Sequence, residues 1–138
     1  MADKKLKDIS NKMKKLDICM MTTKSGRGTL STRPMSNNGD VEYDGNSWFF
    51  SYEGSQKIKD IENSPQLTLS FIGKDGFYLC VKGTANLIRK RSILEDHWIP
   101  ELKQWFSEGL DTEGIILIHV IASQVIYWDK NDGGEINV

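Results

Sequence analysis

Two cationic side chains stand in contexts that suit an anionic ligand. In the run Leu30 to Ser36 (LSTRPMS), strand alternation puts Ser31, Arg33 and Met35 on one face, so a guanidinium is presented beside a polarizable thioether rather than among other charges. Pro34 cannot donate to a strand ladder, which leaves a neighbouring carbonyl or a stretch of backbone edge open to a ligand. An Arg on a strand face also serves as a solvated or ion-paired surface residue, and alternation alone does not separate the two. The second cation is Lys57, in Ser55-Gln56-Lys57 directly after the aromatic run Trp48 to Tyr52. If Ser55 caps a helix, the free N–H groups of the first turn and the positive end of the dipole favour a phosphate, and Lys57 adds a full charge. Lys opposes the dipole in a first turn, which makes its presence there informative. An ordinary capped surface helix is the competing reading.

The chain has four Trp. Trp48 alternates with Phe50 and Tyr52 and is expected in the core. Trp98 and Trp105 share a helix face if Pro100 only bends that segment, and Trp128 lies near the end of the last strand. Such rings fill a barrel or a subunit contact, or they stack on a flat ligand. The two histidines, His97 and His119, have no Cys, His or carboxylate partner at a ligand spacing, so no metal site is expected. Cys19 and Cys80 lie in apolar runs and are read as reduced, buried thiols. No side chain stands out as a catalytic acid, base or nucleophile.

The elements that must position these residues follow from periodicity. Leu6, Ile9, Met13 and Leu16 recur at helical spacing among lysines, giving an amphipathic helix within 1–16. Strands are expected over Ile18 to Thr23, Thr29 to Asn37, Val41 to Tyr43 and Ser47 to Tyr52. A helix over Ser55 to Ser64 is stopped by Pro65. Gln66 to Ile72 and Phe77 to Ile88 form strands around a Gly73 to Gly76 turn. Ser92 to Phe106 is helical and divided by Pro100. Gly114 to Ser123 and Gln124 to Asp129 are the last strands, and residues 130–138 read as a loose tail. Tight turns without regular strand-helix-strand alternation argue for a mainly β, α+β architecture, a small antiparallel barrel with peripheral helices covering its ends.

At 138 residues the chain is expected to form one domain, 1–138. Eighteen Lys and Arg against nineteen Asp and Glu give a net charge of -1. That lacks the long-range pull of a nucleic-acid or membrane-surface binder, so neither partner is expected. No continuous apolar stretch opens the sequence, so no signal peptide or membrane span is expected, and a cytoplasmic location follows.

Five short elements in order, Leu30 to Met35, Trp48 to Ser51 with Ser55 to Lys57, Val81 to Ala85, Trp98 with Trp105-Phe106, and Tyr127 to Asp129, resemble the pyridoxamine 5'-phosphate oxidase-related FMN-binding split barrels, particularly the general stress protein branch. The resemblance covers roughly Leu16 to Asp129. It implies an antiparallel split β-barrel that forms a homodimer with FMN in clefts at the subunit interface. By position, Arg33, Pro34 and Met35 would lie along the flavin or its phosphate tail. Phe50 and Ser51 would supply backbone contacts near the ring, Ser55 and Lys57 would bind phosphate, and Trp105 and Trp128 would be aromatic contacts, in part from the second subunit.

The departures are informative. Those oxidases resemble Ser-Arg-Lys at the phosphate motif, where this chain has Gln56, a neutral amide in place of a forked donor. The chain ends GGEINV with no Arg to grip a pyridoxal phosphate substrate, so oxidation of that vitamer is not expected. Ser107 and Thr112-Glu113 replace prolines and acids usual in the stress-protein branch. The resulting expectation is an FMN-binding flavoprotein, a flavin-dependent oxidoreductase with a nicotinamide as candidate electron donor, or a flavin-binding stress protein. The alternative is a non-enzymatic module holding haem or a deazaflavin in the same cleft, with His119 as the candidate axial ligand.

Overall fold

Strict alternation along Phe77 to Ile88 sends Phe77, Leu79, Val81 and Ala85 to one face, where all four are buried. The chain builds outward from that strand. The computed structural model describes residues 2–36 and 43–138. Its elements are α1 (Ala2–Met13), β1 (Ile18–Lys24), β2 (Leu30–Ser36), β3 (Asn46–Tyr52), α2 (Gln56–Asn63), β4 (Gln66–Ile72), β5 (Phe77–Ile88), α3 (Arg91–His97), β6 (Ile115–Asp129) and β7 (Asp132–Asn137), with 3-10 turns at Pro100–Gln104 and Gly109–Asp111.

All seven strands join one antiparallel sheet in the order β2-β1-β4-β5-β6-β3, and β7 also pairs with β6. The sheet does not close on itself, as expected of a split barrel. Its inner face carries the main core, where Met21, Leu69, Val81, Ile116, Ile118 and Val125 are fully buried. Ile9 and Met13 of α1 join this core, and the buried Ser10 hydroxyl accepts from the Tyr43 amide at 2.6 Å. The amphipathic pattern of α1 is thus satisfied by the sheet. Both cysteines are free, and burial pushes the Cys19 thiol up to about 12. Among the described residues no helix is long and apolar enough to cross a membrane.

Three expectations are corrected. Residues 115–129 form one strand rather than two. A bulge at Lys82/Gly83 in β5 absorbs the irregularity, and a Cβ on Gly83 would lie 2.7 Å from the Ile121 carbonyl oxygen. The tail is not loose: Lys130, at φ 58, turns the chain so that β7 pairs with β6 from Asp129↔Asp132 to Gln124↔Asn137, and Ile136 is buried. The helical segment expected over 92–106 stops at His97, because Pro100 restricts Ile99 to extended backbone and opens a separate 3-10 turn. Trp98 and Trp105 therefore do not share a helix. The short strand expected over 41–43 lies in part outside the described residues.

Candidate functional site

The two strands at the ends of the sheet order, β2 and β3, are not paired with each other among the described residues. A cleft of about 300 Å³ is lined by both: by Pro34 and Met35 from β2, and by Trp48 to Tyr52 from β3. The candidate site is thus the split in the barrel. Pro34 belongs here because an edge strand tolerates a residue without an N–H.

The third wall is the end of α3 and the segment after it, which bring His97, Ile99, Leu102, Trp105 and Phe106 to the cleft. It is latched to β3. The Tyr52 hydroxyl donates to the Trp105 carbonyl oxygen at 2.5 Å, and the Tyr52 and Phe106 rings lie 4.7 Å apart. Phe50 and Phe106 anchor a second apolar cluster with Leu94 and Leu117. Trp48 is corrected from core to site: it is only half-buried, and its ring lies between His97, 3.6 Å away, and His119, 3.8 Å away, both stacked. Phe49, one residue on, occupies the main core in its place.

One end of the cleft is cationic. Lys57 Nζ donates to the buried Ser51 hydroxyl at 2.9 Å. Burial, and then the charge of Arg33, hold the Lys57 ammonium below the ordinary lysine range. Arg33 donates to Thr23 Oγ1 at 2.7 Å and lies 3.8 Å from Asp60 Oδ2. Its own pKa is lowered by burial, against the pull of Asp60. Asp60 is 1% exposed. Burial pushes its carboxyl up, but donors from Thr23 at 2.7 Å and Gln56 at 2.8 Å, with the Arg33 charge, outweigh that and hold it below the usual carboxylate range. Arg33 is thus balanced by Asp60, while the half-buried Lys57 ammonium faces an otherwise largely apolar cleft with a hydroxyl as its partner, and an anion there would complete the balance.

Of the residues singled out from sequence, Pro34, Met35, Phe50, Ser51, Lys57 and Trp105 line this one cleft. Arg33 stands behind Lys57, tied to β1 and α2. Ser55 occupies the N-cap position, yet its hydroxyl donates to the Tyr52 carbonyl oxygen at 2.8 Å instead of capping the helix, and lies 3.5 Å from Ser51 Oγ. The expected side-chain cap is therefore corrected. Trp128 is elsewhere in the chain. It pairs with Tyr78 and Gly133, nine residues along β6 from the partner of Trp48, which is on the order of 30 Å of strand. His119 does not line the cleft, and its Nε2 lies 2.7 Å from Asn46 Oδ1, so the edge needed for an axial ligand is engaged. Sequence reasoning missed Tyr52, His97 and Asp60. The Gln56/Asp60 spacing of four on a helix was the available signal for the last.

The sequence profile described as "Pyridoxamine 5'-phosphate oxidase like" matches residues 4–138. Protein bli-3 of Neurospora crassa is 29% identical over 150 residues, covering 97% of this chain and 70% of that protein. A Clostridium acetobutylicum structure described as related to general stress protein 26 of B. subtilis superposes with a TM-score of 0.86 at 14% identity, over 99% of this chain and 96% of that one. A haem binding protein from Mycobacterium smegmatis superposes with a TM-score of 0.74 at 8% identity, over 99% of this chain and 58% of that one. The structural likenesses agree with the split barrel, and the profile, running from α1 through β7, places the chain in the pyridoxamine 5'-phosphate oxidase-like family.

Proposed function

We propose that the cleft between β2 and β3 binds FMN and that the protein is a flavin-dependent oxidoreductase of the general stress protein type. The observation that carries this is the half-buried Lys57 ammonium, donating to Ser51 beside the Arg33 charge and lining a cleft walled by aromatic rings. A phosphate would take the charged end, with Lys57 and Ser51 as donors. A flat ring system would lie against Met35, Phe50 and Trp105. Bound FMN would supply hydride chemistry, with a nicotinamide as candidate donor, while these residues orient it and exclude water.

The reading includes a second copy of the chain. The one-chain cleft is at the small end of the range for cofactor sites, and Trp128 is too far along its own sheet to reach it. A surface suited to dimerisation is present: Ile72, Tyr78 and Trp128 are cross-strand neighbours on β4, β5 and β6, and they are 69%, 49% and 49% exposed. In a homodimer, Trp128 of one subunit would complete the cleft of the other. The two free thiols fit a reducing, cytoplasmic setting.

The test is an absorption spectrum of the purified protein, followed by fluorescence titration with FMN and riboflavin and a sedimentation measurement. Saturable FMN binding that exceeds riboflavin binding, in a dimer, is expected. A colourless protein that leaves FMN fluorescence unchanged overturns the reading.

A further inference from the structure

A second cleft shares no lining residue with the first and carries an excess of positive charge. Its volume is about 590 Å³, within the range of small-molecule sites. It is built where the end of α1 meets two turns, the one between β4 and β5 and the one between β6 and β7. Four lysines, Lys12, Lys15, Lys74 and Lys130, line it with two aspartates, Asp75 and Asp129. Lys12 is already spent: it pairs with Asp129, and its Nζ lies 4.8 Å from the centre of the Phe77 ring. Lys15, Lys74 and Lys130 form no ion pair with any described carboxylate.

This clustering is held by the backbone. The Lys130 amide donates to the Gly76 carbonyl oxygen at 3.1 Å, so the two turns are bonded to each other and Lys74 and Lys130 are brought to one rim. Asp75 at φ 57 and Lys130 at φ 58 are the non-glycine residues with positive φ among the described residues, and both line this cleft. Left-handed backbone at such residues is kept only where the surroundings over-determine it. Gly73 is required as well, since a Cβ there would lie 2.8 Å from the Phe77 ring. With Lys12 and Asp129 paired, the concave wall carries three ammonium groups against one carboxylate, Asp75, an excess of positive charge in a chain whose net charge is -1.

We propose that this cleft binds a small organic phosphate carrying two or more negative charges. The phosphates would meet Lys15, Lys74 and Lys130, and Leu16 and Phe77 give the same wall an apolar patch for the organic body. The concave shape and the chain's net negative charge favour a small molecule over a nucleic acid or an anionic membrane, each of which needs a broad basic face.

The test uses the full chain, isotopically labelled, titrated with adenosine monophosphate and with pyrophosphate and followed by amide chemical shifts. One saturable site is expected for each, with shifts confined to residues 15–16, 73–77 and 129–131. Affinity should fall at least tenfold in the triple variant Lys15→Gln, Lys74→Gln, Lys130→Gln, and should be unchanged in Lys57→Ala, which alters only the first cleft. The three lysines are exposed, so the triple variant is expected to keep the thermal midpoint of the wild type. Absence of saturable binding overturns the proposal. So does binding that survives the triple variant, binding lost in Lys57→Ala, or pyrophosphate binding with adenosine monophosphate excluded.

Discussion

Gln56 Nε2 donates to Asp60 Oδ1 at 2.8 Å, so the amide that stands in the phosphate motif is directed to a buried carboxylate. That carboxylate also takes the Thr23 hydroxyl and faces Arg33. The middle residue of Ser55-Gln56-Lys57 therefore works for the fold, and the flanking Lys57 is the one that meets the cleft.

Asp60→Ala is expected to destabilise the protein by about 3 kcal/mol, because Arg33, Thr23 and Gln56 all lose their shared acceptor. Chemical denaturation checks this. The sign of the pH dependence follows from the lowered folded pKa: the contribution is complete above the ordinary value of 3.8 and is lost as pH falls through the lower folded value. Wild-type stability should drop in that acid range, and the Asp60→Ala variant should show less of the drop.

Lys57→Ala should weaken FMN by about 1 to 3 kcal/mol, the range for a charge-assisted hydrogen bond, and leave riboflavin nearly unaffected. Fluorescence titration distinguishes the two ligands; equal losses would place Lys57 away from the phosphate. Burial and Arg33 depress the Lys57 pKa. As pH rises, the FMN advantage over riboflavin should accordingly begin to fade before the ordinary lysine value of 10.5 is reached, as Lys57 loses its proton.

The Trp48 stack supplies a spectroscopic readout. Burial lowers the pKa of both His97 and His119, and the charge of His97 lowers that of His119 further. The unfolded chain then binds these protons first, so stability is complete above about 6.5, the ordinary histidine value, and declines as pH falls toward the folded values. Thermal melts between pH 8 and 5 should show the decline. Trp fluorescence should fall over the same interval as an imidazolium forms against the indole, and should do so less in His97→Phe.

Gly83→Ala should cost about 2 to 3 kcal/mol, since its Cβ would meet the Ile121 carbonyl oxygen at 2.7 Å and Val120 Cγ1 at 2.9 Å, and the first of these is backbone. Thermal denaturation against wild type is the measurement. A neutral result would mean that the β5–β6 ladder carries no tight approach at its bulge.

Ile136→Ala should cost about 2 to 4 kcal/mol, as expected for a core residue and not for a tail. If equilibrium unfolding shows no change, β7 does not contribute to the folded core.

What the sequence made legible depended on how local the determining contacts are. Gln66–Ile72 and Phe77–Ile88 are found at the bounds that alternation and the intervening glycine turn predict. Ile58 and Ile61 are buried as helical spacing requires, and Pro65 ends that helix. β7 was not legible, because Gly133 and Gly134 argue against a strand and only pairing with β6 makes one. Pro34, Met35, Ser51 and Lys57 converge as motif order implied. The roles of Asp60 and Trp48 depend on what other elements bring to them, Thr23 and Arg33 in one case and two imidazoles in the other.

The gap between β2 and β3 also bears on motion. Each strand has neighbours on one side only among the described residues, so their outward amides should exchange with solvent faster than those of β4 and β5. A ligand seated there occupies the place of the missing strand pairing. Occupancy should slow hydrogen exchange in Leu30–Ser36 and Asn46–Tyr52 together, with the ring of strands tightened by what it holds.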